Sequence, residues 1–559
     1  MSAAPLRVCL VGAGPKALFA LQELCALWPG ASRIRVDLFD PAEPGGGAVW
    51  DPELPLAWRL NAPAAMVDAR GPGWDLPLSA WLRRHHPEHA EERFPPRALV
   101  GVYLRQAFAA LAADPRVEVR HHRSRVTGLG TGPGQIDPSA YDEVLLATGH
   151  AGLPAQLRRH AEAVPAGATA TVRGAALTGL DALLLLTESR GGRWSRTPED
   201  SLARLTYHPS GHEPARVVLR SRTGAVMAPK PEHQHPWLEP VVAAAAAQVR
   251  AWGAQVRARP AGDPVSLSPL WGVLLRAAGE AARAARVSTT PLRLWRAALT
   301  GSPVRDAAVS PGRQQAAYLS SRLAIDAGAA PPDELWLWGR IWQGVYRDLV
   351  QALDRIPRSA RDQLRFRRVA GTLERVSFGP PAETVRKFLA LLECGRAEVV
   401  ATGDDAREPD AGEPAASGTD ASARELAALT AGPGVLTAPA PAAGAVTTTP
   451  SAPAFREPLY ADLFQRGLIT VRPGERGVLT DPDATCLDAY GRRVEGVAVL
   501  GRPTEDPVLG HDTLDRTLHG DGPRWARGVV ARWGHRALQD ASGLAATPAS
   551  AGPRKGNTP

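Results

Sequence analysis

Lysine is almost absent. Lys16, Lys230, Lys387 and Lys555 are the whole complement in 559 residues, so nearly all positive charge is arginine. The formal charge of +8 and isoelectric point near 9.7 suggest a polyanion partner. The arginines, however, are scattered among acidic residues, whereas a phosphate-tracking surface needs massed charge. No nucleic-acid partner is expected. Cysteine is scarce too, and Cys9, Cys25, Cys394 and Cys486 stand far apart. They form neither a CxxC pair nor a spaced disulfide framework, which fits a reducing compartment. Long apolar runs are also missing. The most apolar later stretches, Val241–Ala247 and Leu183–Leu186, are far too short to cross a bilayer. The run after Met1 goes straight into an apolar strand and a glycine turn, which is not a secretory pattern. A cytoplasmic protein with no membrane partner is expected.

What remains is ordinary globular material, with 44% hydrophobic and 22% charged residues. The length allows two or three domains with separate cores. From Leu6 to His150, apolar runs alternate with helical patterns as βαβ units do. A similar order recurs between Thr171 and Arg222. From Trp237 to Arg368 the chain is rich in Ala, Leu, Arg and Trp at helical spacing, without clear strands. Trp252, Trp271, Trp295, Trp336, Trp338 and Trp342 there read as packing residues. Residues 404–455 are low in complexity and read as a flexible loop, with room for a short helix at Ala421–Leu429. Order returns at Pro458–Leu468, continues through Gly496–Gly501, and ends in a helix near Trp525–Leu538.

The first chemical motif is Arg7-Val-Cys-Leu-Val-Gly12-Ala-Gly14-Pro15-Lys-Ala17. A buried strand ends in Gly12, which allows a tight turn, and Gly14 lets a pyrophosphate approach the backbone. Pro15 opens the helix, and Ala17 keeps it close to the sheet. Free N–H groups and the helix dipole attract phosphates at such a start. The next strand, Ile34–Phe39, ends at Asp40, whose carboxylate suits a ribose hydroxyl. Asp37 competes for that role but lies inside the strand.

Further blocks follow: Pro44-Gly-Gly46-Gly-Ala-Val-Trp50, Arg59-Leu-Asn61-Ala-Pro63, Phe94-Pro-Pro-Arg97 and Tyr141–Ala147-Thr148-Gly149. Later come Val172-Arg-Gly174-Ala-Ala-Leu-Thr178-Gly-Leu-Asp181, Ser221-Arg222-Thr-Gly224, Phe378-Gly-Pro-Pro-Ala-Glu383 and Leu500-Gly501-Arg502-Pro-Thr504-Glu505…His511-Asp512. In this order they resemble the bacterial FAD/NAD(P)-binding proteins, distantly similar to flavin-dependent lysine and ornithine N-monooxygenases. The resemblance implies an α/β fold: a Rossmann-like FAD domain of the three-layer ββα type, a second NAD(P)-like domain, and an α-helical insertion. The implied FAD domain covers residues 1–150 and returns at 456–530. The NAD(P)-like domain covers 151–236 and 369–403, and the insertion 237–368. A C-terminal helix and frayed tail fill 531–559. By the same resemblance, Gly12, Gly14, Pro15, Ala17, Asp40, Gly46, Asn61, Thr148, Gly149, Gly501 and Arg502 hold FAD. Thr178, Ser221 and Arg222 are assigned to NADPH.

The second glycine loop is thin. Only Gly174 precedes its helix, Ala175 and Ala176 stand beside it, and Gly179 falls late for the usual pattern. Arg222, at a strand end, sits where a 2′-phosphate is read, or is a solvated turn residue. His511, Asp512 and Asn61 are the catalytic candidates. An imidazole near a flavin suits proton transfer, while Asp512 equally suits a helix cap. His85-His86-Pro87-Glu88-His89 and His233-Gln-His235 lack metal-ligand spacing and read as exposed turns, so no metal is expected. The expected reaction is NADPH-driven, FAD-dependent oxygenation of a small, amine-bearing substrate. An oxidase that takes no NADPH and a non-enzymatic nucleotide-binding scaffold are the alternatives. Oligomeric state is not readable.

Overall fold

The computed structural model describes residues 5–30, 32–149, 153–196, 200, 202–260, 262–301, 311–403, 425–429, 432–440 and 453–545. The chain begins β1 (Leu6–Val11), α1 (Pro15–Leu27), β2 (Ile34–Phe39), α2 (Leu78–His85), α3 (Arg97–Ala112) and β3 (Val117–His122). The short strands β4 (Gly128–Leu129) and β5 (Gln135–Ile136) precede β6 (Glu143–Leu146) and α4 (Leu153–Ala163). Next come β7 (Thr169–Arg173), α5 (Leu177–Leu186), the antiparallel pair β8 (Arg193–Arg196) and β9 (Leu205–His208), and β10 (Arg216–Ser221). A run of helices follows: α6 (Glu239–Arg257), α7 (Ser268–Ala284), α8 (Pro291–Thr300), α9 (Pro311–Asp326), α10 (Glu334–Leu353), α11 (Ala360–Ser377) and α12 (Ala382–Glu393). The chain then forms β11 (Ala397–Ala401), β12 (Glu425–Ala427), α13 (Pro458–Gln465), β13 (Thr485–Leu487), β14 (Arg493–Val499) and α14 (Asp521–Ala545).

Six strands form one sheet in the order β13-β14-β6-β1-β2-β3, parallel except for β13. The period of two along β1 sorts its side chains between two cores. Leu6, Val8 and Leu10 pack with α1, α3 and α14, including Leu18, Leu104 and Trp525. Cys9 and Val11 face the opposite side, with Leu129, Ile136, Leu459 and Tyr460 from β4, β5 and α13. Burial on both faces explains why β1 reads as a continuous apolar run rather than an alternating one. The result is the three-layer arrangement expected of the first unit.

A second sheet, β11-β10-β7-β12, is parallel throughout. Its strand β12 corrects one sequence expectation. The sequence suggests a flexible loop there with room for a short helix at Ala421–Leu429, but Glu425–Ala427 run as a strand beside β7, pairing Glu425 with Thr171 and Ala427 with Arg173. Backbone pairing at an open sheet edge overrides a weak local helical preference. Most of the 404–455 segment lies outside the described residues.

The helices between β10 and β11 build a third core around α10. Trp338 and Trp342 are fully buried there, with Trp271 and Trp336 nearly so. The Trp338 indole N–H donates to Leu294 O at 2.8 Å, tying α10 to the end of α8. Trp271 stacks parallel to Trp342 at 6.3 Å. Among the described residues no helix is long and apolar enough to cross a membrane. Removing the Trp342 side chain should leave a cavity in this core. Trp342→Ala is expected to lower stability by about 3–5 kcal/mol in denaturant titration followed by circular dichroism.

Candidate dinucleotide and active site

The strand–turn–helix at Gly12 is held by its neighbours on both sides. Gly12 N–H donates to Phe39 O at 2.9 Å, and Ala147 N–H donates to Val11 O at 2.8 Å. With φ at +100°, Gly12 adopts a conformation rare for other residues. A Cβ there would lie 2.5 Å from Ala147 O, so only glycine fits. Gly14 differs: a Cβ built on it meets nothing within 4 Å. It caps α1 in extended conformation without any side-chain hydrogen bond. The helix start therefore has open space in front of uncapped N–H groups, the shape and polarity an anion needs. Gly47, at φ +59°, closes the cradle from above, its Cβ position 3.1 Å from Gly14 Cα. Gly45 N–H donates to Ala13 O at 2.8 Å, and Gly46 is forced by Trp50 O, 2.4 Å from its Cβ position.

Asp40 has a place its sequence position did not reveal. One carboxylate oxygen accepts from Ala13 N–H at 2.8 Å and the other from Ala42 N–H at 2.7 Å. It braces the glycine loop, with lone pairs left for a ribose hydroxyl. Asp37 pairs with His122 Nε2 at 2.6 Å. Ala17 is buried, and Pro15 takes the first helical position. Thr148 shares a 2.6 Å hydrogen bond with the Tyr460 hydroxyl, while a Cβ at Gly149 would meet nothing within 4 Å.

The second loop repeats this construction. Gly174 N–H donates to Arg220 O at 2.8 Å, and Ala428 N–H donates to Arg173 O at 2.9 Å. Gly174 has φ +118°, and its Cβ position lies 2.5 Å from Ala428 O. Ala176 caps α5 in the same extended conformation as Gly14 caps α1. Gly179 was read as falling too late in the pattern. It instead occupies the third position, five residues after Gly174, as Ala17 does after Gly12. Its Cβ would lie 2.3 Å from Gly174 O, so helix and loop meet there only because the side chain is missing. The sole departure is a methyl group at Ala176. Ser221 is the last residue of β10, where Asp40 stands just after β2, and its Oγ accepts from Gly224 N–H at 3.1 Å. Arg222 is exposed beside it, and Thr178 lies in the first turn of α5.

The C-terminal return carries the largest revision. Gly501, at φ +81°, brings Lys16 Cγ within 3.2 Å of its Cβ position. Arg502 binds Glu505 at 2.9 Å and Asp512 at 3.1 Å. His511 and Asp512 diverge: Asp512 is exposed, and His511 is 1% exposed. His511 Nδ1 lies 2.5 Å from Thr504 Oγ1, and its Nε2 lies 3.7 Å from Asp521. Burial holds its pKa well below the usual histidine value, so the ring stays neutral and supports the turn. No helix begins at Asp512, and α14 starts at Asp521. Asp521 is itself held by Arg355 at 2.5 Å. Asn61 Nδ2 donates to Phe378 O at 3.3 Å, while its buried Oδ1 has no partner. The histidine-rich turns pair with acids, His86 with Glu88 and both His233 and His235 with Asp326.

Two strand–glycine–helix units, on one wholly parallel sheet and one parallel but for β13, define a two-nucleotide-fold α/β protein. Residues 9–151 match the family model described as FAD-NAD(P)-binding, and the chain carries that domain. An L-aspartate N-monooxygenase (nitrosuccinate-forming) of Streptomyces cremeus is 32% identical over 290 residues, 40% of this chain and 43% of that protein. A nitrosuccinic acid synthase of Aspergillus oryzae is 31% identical over 265 residues, 39% and 40% of the two chains. The match thus spans less than half of each relative. Among solved structures, lysine monooxygenase NbtG from Nocardia farcinica has a TM-score of 0.28 at 15% identity, covering 51% of this chain and 70% of that one. Mycobacterium tuberculosis FprA in complex with NADPH has a TM-score of 0.27 at 14% identity, covering 98% and 88%.

Sequence reasoning passed over Lys16, whose side chain packs against the Gly501 turn, and only the scarcity of lysine could have singled it out.

Two predictions follow from this geometry. Gly14→Val should leave the fold intact and lose bound flavin, whereas Gly12→Ala should lower the thermal midpoint because its Cβ meets backbone. Calorimetric melts with flavin quantitation separate the two. Burial also pushes His519 down to about 4, so the folded state resists its protonation. The unfolded chain takes that proton near pH 6.5, so stability falls by up to about 3 kcal/mol as pH drops from about 6.5 to 4. Denaturant titrations across that window should show the slope, and His519→Gln should reduce it, leaving the share that buried His511 contributes in the same direction.

Proposed function

We propose that this chain is an FAD-dependent, NADPH-driven N-monooxygenase acting on a small amine-bearing substrate such as an amino acid. The observation that carries this reading is the pair of equivalent glycine loops, each with an uncapped helix N-terminus. The similarity of residues within this chain to aspartate N-monooxygenases supports the substrate class.

FAD belongs at the Gly12 loop. Its pyrophosphate would meet the α1 N–H groups over Gly14, with Pro15 and Ala17 setting the helix and Gly46 holding the covering loop. Asp40 would offer its remaining lone pairs to the ribose. Thr148, Gly149, Gly501 and Arg502 border the strand ends where the rest of the cofactor lies, and Asn61 offers its unpaired Oδ1. NADPH belongs at the Gly174 loop, with Thr178 in the first turn, Ser221 near the ribose and Arg222 on the 2′-phosphate. Reduced by NADPH, an FAD held there would supply the activation of dioxygen, one oxygen atom going to the substrate nitrogen and the other leaving as water. The protein's part is to orient the substrate and exclude water. His511 and Asp512 serve here as supports: a neutral buried ring under the Gly501 turn and a carboxylate that fixes Arg502.

The purified protein should be yellow and should bleach rapidly when NADPH is added without oxygen, and much more slowly with NADH. Arg222→Ala should erase that preference, costing about 10–100-fold in NADPH affinity. A yellow protein reduced by neither nucleotide would favour an oxidase. A colourless protein unaffected by added FAD would leave a nucleotide-binding scaffold.

A further inference from the structure

Asp326, the last residue of α9, fastens the segment leaving β10 to the helical insertion. It is 6% exposed, yet its two carboxylate oxygens are used very unequally. Oδ2 accepts from Glu232 N–H at 2.8 Å, from His233 N–H at 3.3 Å and from His233 Nδ1 at 3.1 Å. Oδ1 is equally buried and accepts from no donor among the described residues. His235 Nε2 stands 3.8 Å from it, and that nitrogen too is buried without a hydrogen-bond partner. The gap is too long for a hydrogen bond. It is short enough for one small molecule to touch both atoms.

A small cavity lies against the same carboxylate. Its walls include Ala228 from the segment, Arg322 and Asp326 from α9, Trp336 and Arg340 from α10, and Ser377 from α11. His235 is placed beside it by Trp336, whose ring it meets edge-on at 4.9 Å. The cavity volume is about 20 Å³. One water needs roughly 10–15 Å³ of such space, so the cavity suits one water and nothing larger.

The walls also carry unused donors. Arg322 gives both terminal nitrogens to Asp333, and Arg340 gives Nη1 to Gln343 at 2.7 Å. The Nε–H of each is buried and unpaired. Arg340 feels the charge of Asp326, and both act on His235. Burial holds the His235 pKa below the usual histidine value, so the ring is neutral and brings no charge of its own across the gap. These surroundings select their ligand. Two guanidinium groups disfavour a metal ion, and among the described residues no three side chains are placed to hold one. The Asp326 carboxylate disfavours an anion. A neutral molecule that both donates and accepts satisfies every group.

We propose that this cavity binds one internal water, which donates to Asp326 Oδ1, accepts from Arg340 Nε–H and bonds to His235 Nε2. The water completes the carboxylate's hydrogen bonds and ties residues 228–235 to α9 and α10 at one point. That segment carries the chain from the second sheet into the insertion, so the water helps fix how the two meet.

The direct test is a crystal structure of the full chain at a resolution that shows ordered waters. One peak should lie within about 3.2 Å of Asp326 Oδ1, His235 Nε2 and Arg340 Nε. A cavity without density, or side chains closed directly on one another, would overturn the proposal. Two variants test it in solution through the thermal midpoint. Ala228→Ser brings a hydroxyl that can stand in for the water and should melt within about 1 °C of wild type. Ala228→Val displaces the water with methyl groups, strands its partners and should melt a few degrees lower. A valine variant that melts above wild type would mean that the cavity was an empty void, and the proposal fails. It fails equally if the serine variant falls as far as the valine one.

Discussion

At Gly12 the chain must turn out of β1 while the carbonyl of Ala147 stands 2.5 Å from where a side chain would begin. That crowding exists because β2 and β6 both pair with β1 and end at the same level. The loop is consequently pressed flat, α1 starts directly beneath it, and the N–H groups of the first turn face open space. The second sheet meets the same condition with different residues. Gly174 turns against Ala428, which arrives from β12, more than 250 positions later in the chain. Each nucleotide cradle is thus a consequence of three parallel strands ending together, with a glycine at the only position that tolerates it.

The units are joined largely through arginine. Arg355, at the end of α10, reaches Asp521 and Thr480; Arg347 reaches Asp515; and Arg367 reaches Asp506. On the other side Arg97 binds Asp181 at 2.6 Å, and the Trp58 indole donates to Asp181 O at 2.9 Å. A planar fork that stays charged when buried suits these junctions better than an ammonium, whose pKa drifts on burial. The near-absence of lysine has a structural counterpart. Of the few lysines, Lys387 is paired with Glu188, and Lys230 stands over the Phe378 ring.

The architecture was largely readable in the residues. The apolar run of β1, the bounds of Ile34–Phe39 and the tryptophan-rich helices all appear where the pattern placed them, because they follow from local periodicity. The site was less readable. His511 and Asp512 are adjacent in sequence and suggested one acid–base pair, yet a turn sends the imidazole into the interior and the carboxylate to the surface. Gly179 stands at the same spacing from Gly174 as Ala17 from Gly12, so the third small residue of the second loop is legible in the sequence, and the structure adds the Gly174 carbonyl that requires it. The Asp40 carboxylate is occupied by the backbone N–H groups of Ala13 and Ala42, a contact its position in the sequence does not show.

Sequence alone determined the main strands and helices of the two glycine-loop units and the helical region between them, where the two glycine turns fall, and that few cations besides arginine exist to be placed. Those properties are set by neighbours within a few residues. Only the tertiary structure decided that β12 completes the second sheet, that Asp40 braces the first glycine loop, and that His511 turns into the interior while Asp512 stays at the surface. Each of these depends on contacts between segments distant in the chain. Whether a buried charge is satisfied is a property of its surroundings in space, which no local pattern encodes.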